Sequence, residues 1–464
     1  MDNRKKIRDM AESASFAHRQ MLGLTSRKKR DILYSIADEL ESCRDEILSA
    51  NKKDVAESKS RGRSEAFLDR LSITELRFSN LVRAFRVIAD FKDPIGEQIS
   101  RWIRPNGLEI VRRRVPIGVV GIALESRPHV VALAAAICFK VNNAVVVVGD
   151  SESSRTCKCL SKVIRNGGER SGLPADALQV LCSEDNLIDG RILTSLEGLV
   201  DLAILRGDLA FVTDLTAHAR IPVLKHTGGL CHIYIDCDRI KPPAGDPPPV
   251  SAAAPGFSTA KAALEVPSPE AGALPAGDQK VNPVDLDSAV EIVINSRCLD
   301  PYSCNSANVV LVHKNIASRF LPTLALRAEA EHVELHGDER AVALLPGMQL
   351  ADADEWHNPR KEVAITIGIV DSLEDAIEHI NNLGSHLSDT IISPDIGAQD
   401  VFMRDVDSAA VYSNASTNFT DGGEFGMGAE IGLSNDKLFA RGPIGLEDLT
   451  STKYIVRGSG QTKV

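Results

Sequence analysis

The feature that most constrains this chain is a buried strand, a buried helix and a second buried strand within about thirty residues. Ile117–Leu124 is a short β-rich run, Pro128–Lys140 suits a buried helix, and Ala144–Val148 is made of alanine and valine. Strands that are apolar at nearly every position are typical of parallel sheets covered by helices. The unit therefore predicts a βαβ crossover and an α/β fold.

Strands and helices continue to alternate on both sides of one unusual stretch. Further strands are predicted at Leu178–Leu181, Leu199–Ile204, Ile221–Leu224, Asn308–Val312, Ala364–Val370, Thr390–Ser393 and Ala409–Asn414. Helical spacing of apolar residues predicts helices at 26–60, 75–90, 285–295, 316–330 and 373–382. Residues 241–283 hold 10 of the chain's 22 prolines, and we expect a disordered surface insertion there. The pattern predicts two parallel-sheet α/β domains.

Composition and charge exclude several classes of function. The formal net charge of −11 argues against nucleic acid or an anionic membrane surface as the main partner. The N-terminus lacks the apolar core of a secretory signal, and no apolar run could span a membrane, so we expect a cytoplasmic protein. The nine cysteines are odd in number and include no CxxC pair, which favours free thiols and predicts no metal site.

Two short segments could carry chemistry. Cys304 lies in a predicted loop between a helix and a strand, where its sulfur could be a nucleophile facing a cleft or a half-buried structural thiol. Arg127-Pro128-His129 follows the strand Ile117–Leu124, at the edge where parallel sheets bind ligands. Arg127 and His129 could contact an anion there, or His129 could serve only to begin the helix. The residues alone leave these alternatives open.

Several longer stretches resemble the gamma-glutamyl phosphate reductases of the aldehyde dehydrogenase superfamily. They are Arg112–Gly118, Glu125–Pro128, Ile221–Asp236, Cys304-Asn305, Leu373–Ile380, Ser388-Asp389, Asn414–Thr417, Phe419–Glu430 and Ala440–Lys453. The resemblance implies an aldehyde dehydrogenase-like α/β fold with two parallel-sheet domains and a small β-flap for oligomerisation. It implies a cofactor-binding domain over 1–228, a catalytic domain over 229–446 and a C-terminal strand and tail over 447–464. Residues 97–114 and the C-terminal Thr450–Gly458 would form the flap, which would pair across a dimer.

The resemblance also implies a reaction and a set of site residues. Such enzymes reduce L-glutamyl 5-phosphate with NADPH to glutamate 5-semialdehyde, in proline biosynthesis, through a cysteine thioester. Carried over to this chain, the catalytic residues are Cys304, Asn305 and His129. The residues implied for NADP(H), with NAD(H) as the alternative cofactor, are Lys140, Glu152, Arg206 and Gly207. Those implied near the substrate are Glu125, Ser126, Arg127, Asn414 and Ser416. A homo-oligomer, either a dimer or a tetramer, and a complex with glutamate 5-kinase are also implied.

Some positions depart from the family pattern. His129 stands where an asparagine is usual, and Val148-Gly149-Asp150 stands for Arg-Gly-Gly after the second strand. Asp208 and Ala210 replace glycines of the loop after Arg206, and Asn418 replaces an arginine. We expect Asp150 and Asp208 to bring negative charge to the cofactor phosphates. The alternatives are therefore a divergent, impaired paralogue with a binding or regulatory role, and a dehydrogenase with an altered cofactor or substrate.

Overall fold

The computed structural model describes residues 3–226, 228–236, 285–358, 363–427 and 430–463, and the predicted insertion 241–283 lies outside these ranges. The helices are α1 (Asn3–Met21), α2 (Ser26–Ser42), α3 (Arg44–Ser60), α4 (Glu65–Leu71), α5 (Glu75–Asp90), α6 (His129–Lys140), α7 (Ser154–Arg170), α8 (Asn186–Thr194), α9 (Leu209–His218), α10 (Leu286–Cys298), α11 (Lys314–Ala330), α12 (Glu339–Leu344), α13 (Leu373–Leu383) and α14 (Ile396–Asp405). Within these ranges, no helix combines the length and the apolar character that a bilayer crossing needs.

The strands follow the predicted alternation. They are β1 (Gln98–Ile103), β2 (Glu109–Pro116), β3 (Val119–Leu124), β4 (Ala144–Asp150), β5 (Leu178–Ser183), β6 (Leu202–Arg206), β7 (Val223–His226), β8 (Cys231–Ile235), β9 (Ala307–His313), β10 (Glu334–Gly337), β11 (Gln349–Leu350), β12 (Ala364–Val370), β13 (Ser388–Ile392), β14 (Ala410–Ser413), β15 (Leu433–Ser434), β16 (Gly442–Pro443) and β17 (Thr450–Arg457).

Two parallel sheets form the centre of the described chain. One has the order β5-β4-β3-β6-β7, and the other has the order β11-β10-β12-β9-β8-β13-β14. Every residue of β3 and β4 is buried, because helices cover both faces of the first sheet. The predicted α/β class with two parallel sheets is confirmed.

A third, antiparallel sheet joins the two ends of the chain. Strand β2 lies between β1 and β17, and Thr450 pairs with Pro116 while Arg457 pairs with Glu109. Residues 97–114 and the C-terminal strand therefore pair within one chain. They form one flap, as expected, and the pairing of this flap across a dimer stays a prediction.

The N-terminal helices differ from the sequence prediction in several respects. The predicted helix over 26–60 is two helices, α2 and α3, which meet at Cys43 with φ −99° and ψ 15°. Thr25, rather than Ser26, caps α2, since its hydroxyl accepts a hydrogen bond of 3.2 Å from the Lys28 N–H. Helix α1, which the sequence analysis did not predict, packs Ile7 and Ala14 against the first sheet.

Candidate active site

The carboxyl ends of β3, β4 and β6 form one edge of the first sheet. Leu124 pairs with Arg206, and Ala123 pairs with Val148, so the residues that follow these strands are neighbours. They line a cavity of about 410 Å³ that contains four arginines and five acidic side chains. A cavity with this mixture of cations and hydrogen-bond acceptors suits a ligand that carries both phosphates and hydroxyls.

Asp150 lines this cavity and also has several partners inside the protein. Its Oδ2 accepts hydrogen bonds from the Ser126 N–H at 2.5 Å and the Ser126 hydroxyl at 2.8 Å. Its Oδ1 accepts from the Ser153 N–H at 2.9 Å and the Ser153 hydroxyl at 2.7 Å. Ser126 has φ 49°, a left-handed conformation that is strained for a serine. The Asp150 carboxylate therefore holds the turn that leads into Arg127 while it lines the cavity, and the expectation that its charge acts on a cofactor phosphate stays a prediction.

Asp208 likewise has a local partner. Its Oδ1 accepts from the Phe211 N–H at 2.8 Å and so caps α9, while its own N–H donates to Glu125 Oε2 at 2.9 Å. At Gly207, a Cβ would lie 2.6 Å from Glu125 Oε2 and 2.6 Å from the Phe211 ring, so only glycine fits this loop. Burial raises the pKa of Glu125. The departure from glycine at 208 thus provides a helix cap.

Cys304 lies in the loop between α10 and β9, as predicted. Its thiol is half-buried, and burial raises its pKa to about 11, although the guanidinium groups of Arg206 and Arg127 oppose the rise. The Cys304 carbonyl packs directly against Gly229, where any Cβ would overlap that oxygen. The Cys231 thiol contacts the same carbonyl at 3.3 Å. The loop is therefore held tightly behind a sulfur that faces two cations.

Arg127, Arg206 and His129 form the electropositive side of the site. Burial lowers the pKa of Arg127 to about 9 and also lowers the pKa of Arg206, and each guanidinium is influenced by the Cys304 sulfur. Arg206 donates to the Ile431 carbonyl. Burial, with the nearby arginines, holds the pKa of His129 well below its usual range, so the imidazole is neutral. Its Nδ1 is buried without a hydrogen-bond partner among the described residues, which leaves it available to a ligand.

Asn305 connects the cysteine loop to the segment 414–420. Its Nδ2 donates to the Thr420 carbonyl at 2.8 Å and to the Asn418 carbonyl at 3.3 Å. Asn418 in turn donates to the Asn295 carbonyl at 2.8 Å, at the end of α10. The side chain of Asn305 therefore supports the position of Cys304, and only its backbone N–H can be considered as an oxyanion donor.

Two of the residues implied near the substrate have structural partners instead. Asn414, at φ 53°, accepts from the Ser393 N–H and donates to the Ser393 carbonyl, both at 2.9 Å. The Ser416 hydroxyl accepts from Ser296 at 3.0 Å. These contacts fasten the segment between β14 and the second sheet. Glu125, Ser126 and Arg127, by contrast, line the cavity.

Lys140 does not lie with the other residues implied for the cofactor. It ends α6, whose first residue, His129, is at the carboxyl edge of the sheet, so the helix carries Lys140 about 17 Å away. There its ammonium donates to the Ala89 carbonyl at 2.8 Å, and burial lowers its pKa to about 8. Glu152, Arg206 and Gly207 remain at the carboxyl edge, with Glu152 and Gly207 lining the cavity.

Glu430 is a site residue that the sequence analysis did not assign. Burial raises its pKa to about 7, while a hydrogen bond of 2.7 Å from the Gly422 N–H and the charge of Arg206 act in the opposite direction. Its charge also influences Cys304. The glycine-rich stretch 421–430 could have indicated it, since a carboxylate in a loop that approaches the cysteine is a candidate for proton transfer.

The geometry is compatible with a dinucleotide. The glycine at 207 allows close approach of a ligand, and arginines at 61, 63, 70 and 127 can meet its phosphates. No three His, Cys, Asp or Glu side chains in the described part of the chain come together as metal ligands would.

Comparisons with known proteins agree with this arrangement. The aldehyde dehydrogenase family model matches residues 1–200. The chain is 36% identical to the gamma-glutamyl phosphate reductase of Halothermothrix orenii over 100% of both proteins, and 36% identical to that of Moorella thermoacetica over 99% of both. The crystal structure of the Thermotoga maritima gamma-glutamyl phosphate reductase superimposes with a TM-score of 0.84 at 31% identity, covering 99% of this chain and 100% of that one. The chain therefore belongs to the gamma-glutamyl phosphate reductase family and has the aldehyde dehydrogenase fold.

Proposed function

We propose that this protein reduces L-glutamyl 5-phosphate to L-glutamate 5-semialdehyde with release of phosphate, the reductive step of proline biosynthesis. One observation carries the proposal for this chain's own site. The Cys304 sulfur lies under the combined charge of Arg127 and Arg206, and Arg127 also lines the ligand cavity. A thiol beside two buried cations can attack a phosphorylated acyl group and stabilise the phosphate that leaves.

The first step requires the thiolate of Cys304. Because its pKa is about 11, the neutral thiol predominates at neutral pH, so a base must take the proton as the substrate binds. Glu430, with a pKa of about 7, is the carboxylate whose charge reaches this sulfur. We assign it the role of accepting the thiol proton. The thiolate then attacks the acyl carbon, a C–S bond forms, and the C–O bond to phosphate breaks.

The oxygen of the acyl group gains negative charge during this attack. Two donors are proposed to stabilise it: the backbone N–H of Asn305, which directly follows the nucleophile, and the neutral imidazole of His129. The Asn305 side chain cannot serve, because it is already donating to two carbonyls. Arg127 and Arg206 are proposed to balance the charge of the departing phosphate.

The cofactor is proposed to be NADPH, bound at the carboxyl edge of the first sheet by the domain spanning 1–228. When bound, its nicotinamide supplies the hydride that converts the thioester to the aldehyde. Gly207 and the cavity arginines 61, 63 and 70 are proposed to hold its phosphates, and Glu152 its ribose. The catalytic domain, 229–446, contributes Cys304 and the loop that supports it. Lys140 has no part in this proposal.

We further propose that the protein is a homo-oligomer in the cytoplasm. The flap sheet has a partly apolar exposed surface, with Trp102 and Tyr454 in edge-to-face contact at 6.2 Å and Ile103 and Val456 exposed. Exposed apolar side chains of this kind on a three-stranded sheet suit contact with a second copy. The eight cysteines within the described ranges are free thiols, as a reducing compartment would keep them. A complex with glutamate 5-kinase stays a prediction.

The test is phosphate-dependent oxidation of glutamate 5-semialdehyde, the reverse reaction, by purified protein. We expect turnover with NADP⁺ in the wild type and its loss in Cys304→Ser, because an alcohol at this position is a far weaker nucleophile. Cys298→Ser, at the end of α10 and also half-buried, is the matched control and should retain activity. Full turnover by Cys304→Ser would refute the thioester mechanism.

A further inference from the structure

A single ion pair closes one side of the ligand cavity. Arg63, in the turn between α3 and α4, forms an ion pair with Glu152, which follows β4. The Arg63 guanidinium also lies over the Phe67 ring, 4.9 Å from its centre. All three side chains line the cavity. The pair thus joins an element outside the sheet to the strand end that we propose for the cofactor ribose.

The surroundings of this pair make it important for a ligand. Strand β4 ends in Val148-Gly149-Asp150, which includes no cation, and the Asp150 carboxylate is fully used by Ser126 and Ser153. Glu152 is therefore the carboxylate after β4 whose main partner is a cavity side chain, and Arg63 is that partner. In dinucleotide sites, an acidic residue after a strand binds the ribose hydroxyls, whereas a nearby arginine accommodates a 2′-phosphate.

We propose that Arg63 is the residue that allows a 2′-phosphorylated dinucleotide to bind this protein, and that Glu152 selects against that phosphate when Arg63 is absent. The inference rests on the proposed function, because it concerns the same cofactor cavity. A bound 2′-phosphate takes the guanidinium of Arg63 as a bidentate partner. An unphosphorylated ribose leaves the ion pair intact and donates its hydroxyls to Glu152.

Charge arithmetic predicts opposite effects on the two dinucleotides. With Arg63 present, the pair is neutral, so a phosphate loses little by approaching Glu152 and gains a cation. Without Arg63, the phosphate loses its partner and also meets an uncompensated carboxylate. The ribose of an unphosphorylated dinucleotide has no such charge. Its hydroxyls can donate to the Glu152 carboxylate, which no longer has a competing partner. If Arg63 had a purely structural role, its removal would weaken the binding of both dinucleotides together.

The other cations of the cavity do not replace Arg63 at this position. Arg61 is paired with Glu57 one helical turn earlier, and Arg127 belongs to the cysteine side of the site. Arg70 adds to the positive field, but its side chain forms no ion pair with Glu152. The discrimination therefore depends on one exposed side chain, with 49% of its surface accessible, whose removal should not disturb folding.

The experiment measures dissociation constants of NADPH and NADH by titration calorimetry, without substrate. The variants are Arg63→Ala, Arg63→Lys and Glu152→Gln, and Arg86→Ala, a surface arginine on α5 outside the cavity, is the control for net charge. For Arg63→Ala we expect NADPH to bind about tenfold weaker or more, while NADH binds as well as before or tighter. Arg63→Lys should recover part of the loss. Glu152→Gln should weaken NADH and leave NADPH within about twofold.

Adenosine 2′,5′-bisphosphate and 5′-AMP serve as fragment probes, because they differ only in the 2′-phosphate. We expect Arg63→Ala to weaken the bisphosphate selectively. Equal losses for both dinucleotides, or an unchanged affinity for NADPH in Arg63→Ala, would overturn the inference while leaving the proposed function intact. A wild-type protein that is folded but binds neither dinucleotide would overturn the proposed function and the inference with it.

Discussion

Replacing Asp150 with asparagine should show how this chain uses a carboxylate at the end of β4. The change keeps the size of the side chain but leaves one oxygen in place of two. Asp150 receives two hydrogen bonds at each oxygen, including the backbone N–H groups of Ser126 and Ser153. The amide nitrogen of asparagine cannot accept a hydrogen bond, so whichever backbone N–H it faces loses its partner. The hydrogen bonds to the remaining oxygen lose the negative charge of the acceptor.

The cost can be estimated from these contacts. An unsatisfied buried donor costs about 1 to 3 kcal/mol, and loss of charge assistance at the other oxygen adds about 1 kcal/mol. We therefore expect Asp150→Asn to lower the free energy of unfolding by about 2 to 4 kcal/mol. It should also relax Ser126 from its φ of 49° and displace Arg127, which lowers kcat more than it changes the KM for NADPH.

The assay is urea denaturation of the wild type, Asp150→Asn and Asp9→Asn, followed by steady-state kinetics. Asp9 is exposed on α1 and controls for the loss of one negative charge. If Asp150→Asn unfolded at the same urea concentration as the wild type, the Asp150 carboxylate would not be holding the turn. If it instead tightened NADPH binding strongly without loss of stability, the charge would be acting on the cofactor, as the sequence alone suggested.

Two further predictions concern the cysteine loop. Glu430→Gln should remove the dependence of kcat on a group with a pKa of about 7, since activity in the wild type should fall as pH drops through that value. The same variant should flatten the pH dependence of the free energy of unfolding. Between about pH 4.5 and about pH 7, the folded chain keeps the Glu430 proton that the unfolded chain loses. Wild-type stability should therefore fall as pH rises across that window. Gly229→Ala should cost about 2 to 3 kcal/mol of stability and most of the activity, because its Cβ would overlap the Cys304 carbonyl. Denaturation curves measure the changes in stability, and pH–rate profiles measure the dependence of kcat on pH.

Each of these predictions has a matched control. Glu424→Gln, exposed in the same glycine-rich loop, should leave the pH profile unchanged. Gly198→Ala is the control for Gly229→Ala. A Cβ at Gly198 would meet nothing within 4 Å, although the φ of 77° there adds a modest backbone cost. An unchanged pH–rate profile in Glu430→Gln would mean that another group takes the proton of Cys304. Wild-type activity in Gly229→Ala would mean that the loop tolerates displacement.

Much of the architecture follows from patterns that local physics controls. The buried strands β3 and β4 and the helix between them were predicted because continuous apolar runs bounded by polar turns have few other solutions. The loop position of Cys304 followed from the same alternation. The break at Cys43 was missed because apolar spacing persists through it. Helix α1 was missed because half of its six buried residues are alanines, which give a weak apolar pattern.

Side-chain direction is what the sequence could not provide. Asp150 and Asp208 were expected to bring charge to cofactor phosphates, but the sequence did not show that both carboxylates also accept hydrogen bonds from nearby backbone N–H groups. Lys140 was carried over to the cofactor from the family, yet α6 takes it to the opposite end of the sheet. The Arg63–Glu152 pair and the approach of Glu430 to Cys304 join segments that are distant along the chain, and no periodicity predicts such contacts.

The most direct test of the account is to trap the covalent intermediate. Wild-type protein incubated with glutamate 5-semialdehyde and NADP⁺, without phosphate, should accumulate a glutamyl thioester, because the acceptor that releases it is missing. Intact-protein mass spectrometry should show one glutamyl adduct, peptide mapping should locate it on Cys304, and added phosphate should remove it. An adduct on another residue, or phosphate-dependent turnover with no adduct in a rapid-quench experiment, would contradict the assignment of Cys304 as the nucleophile.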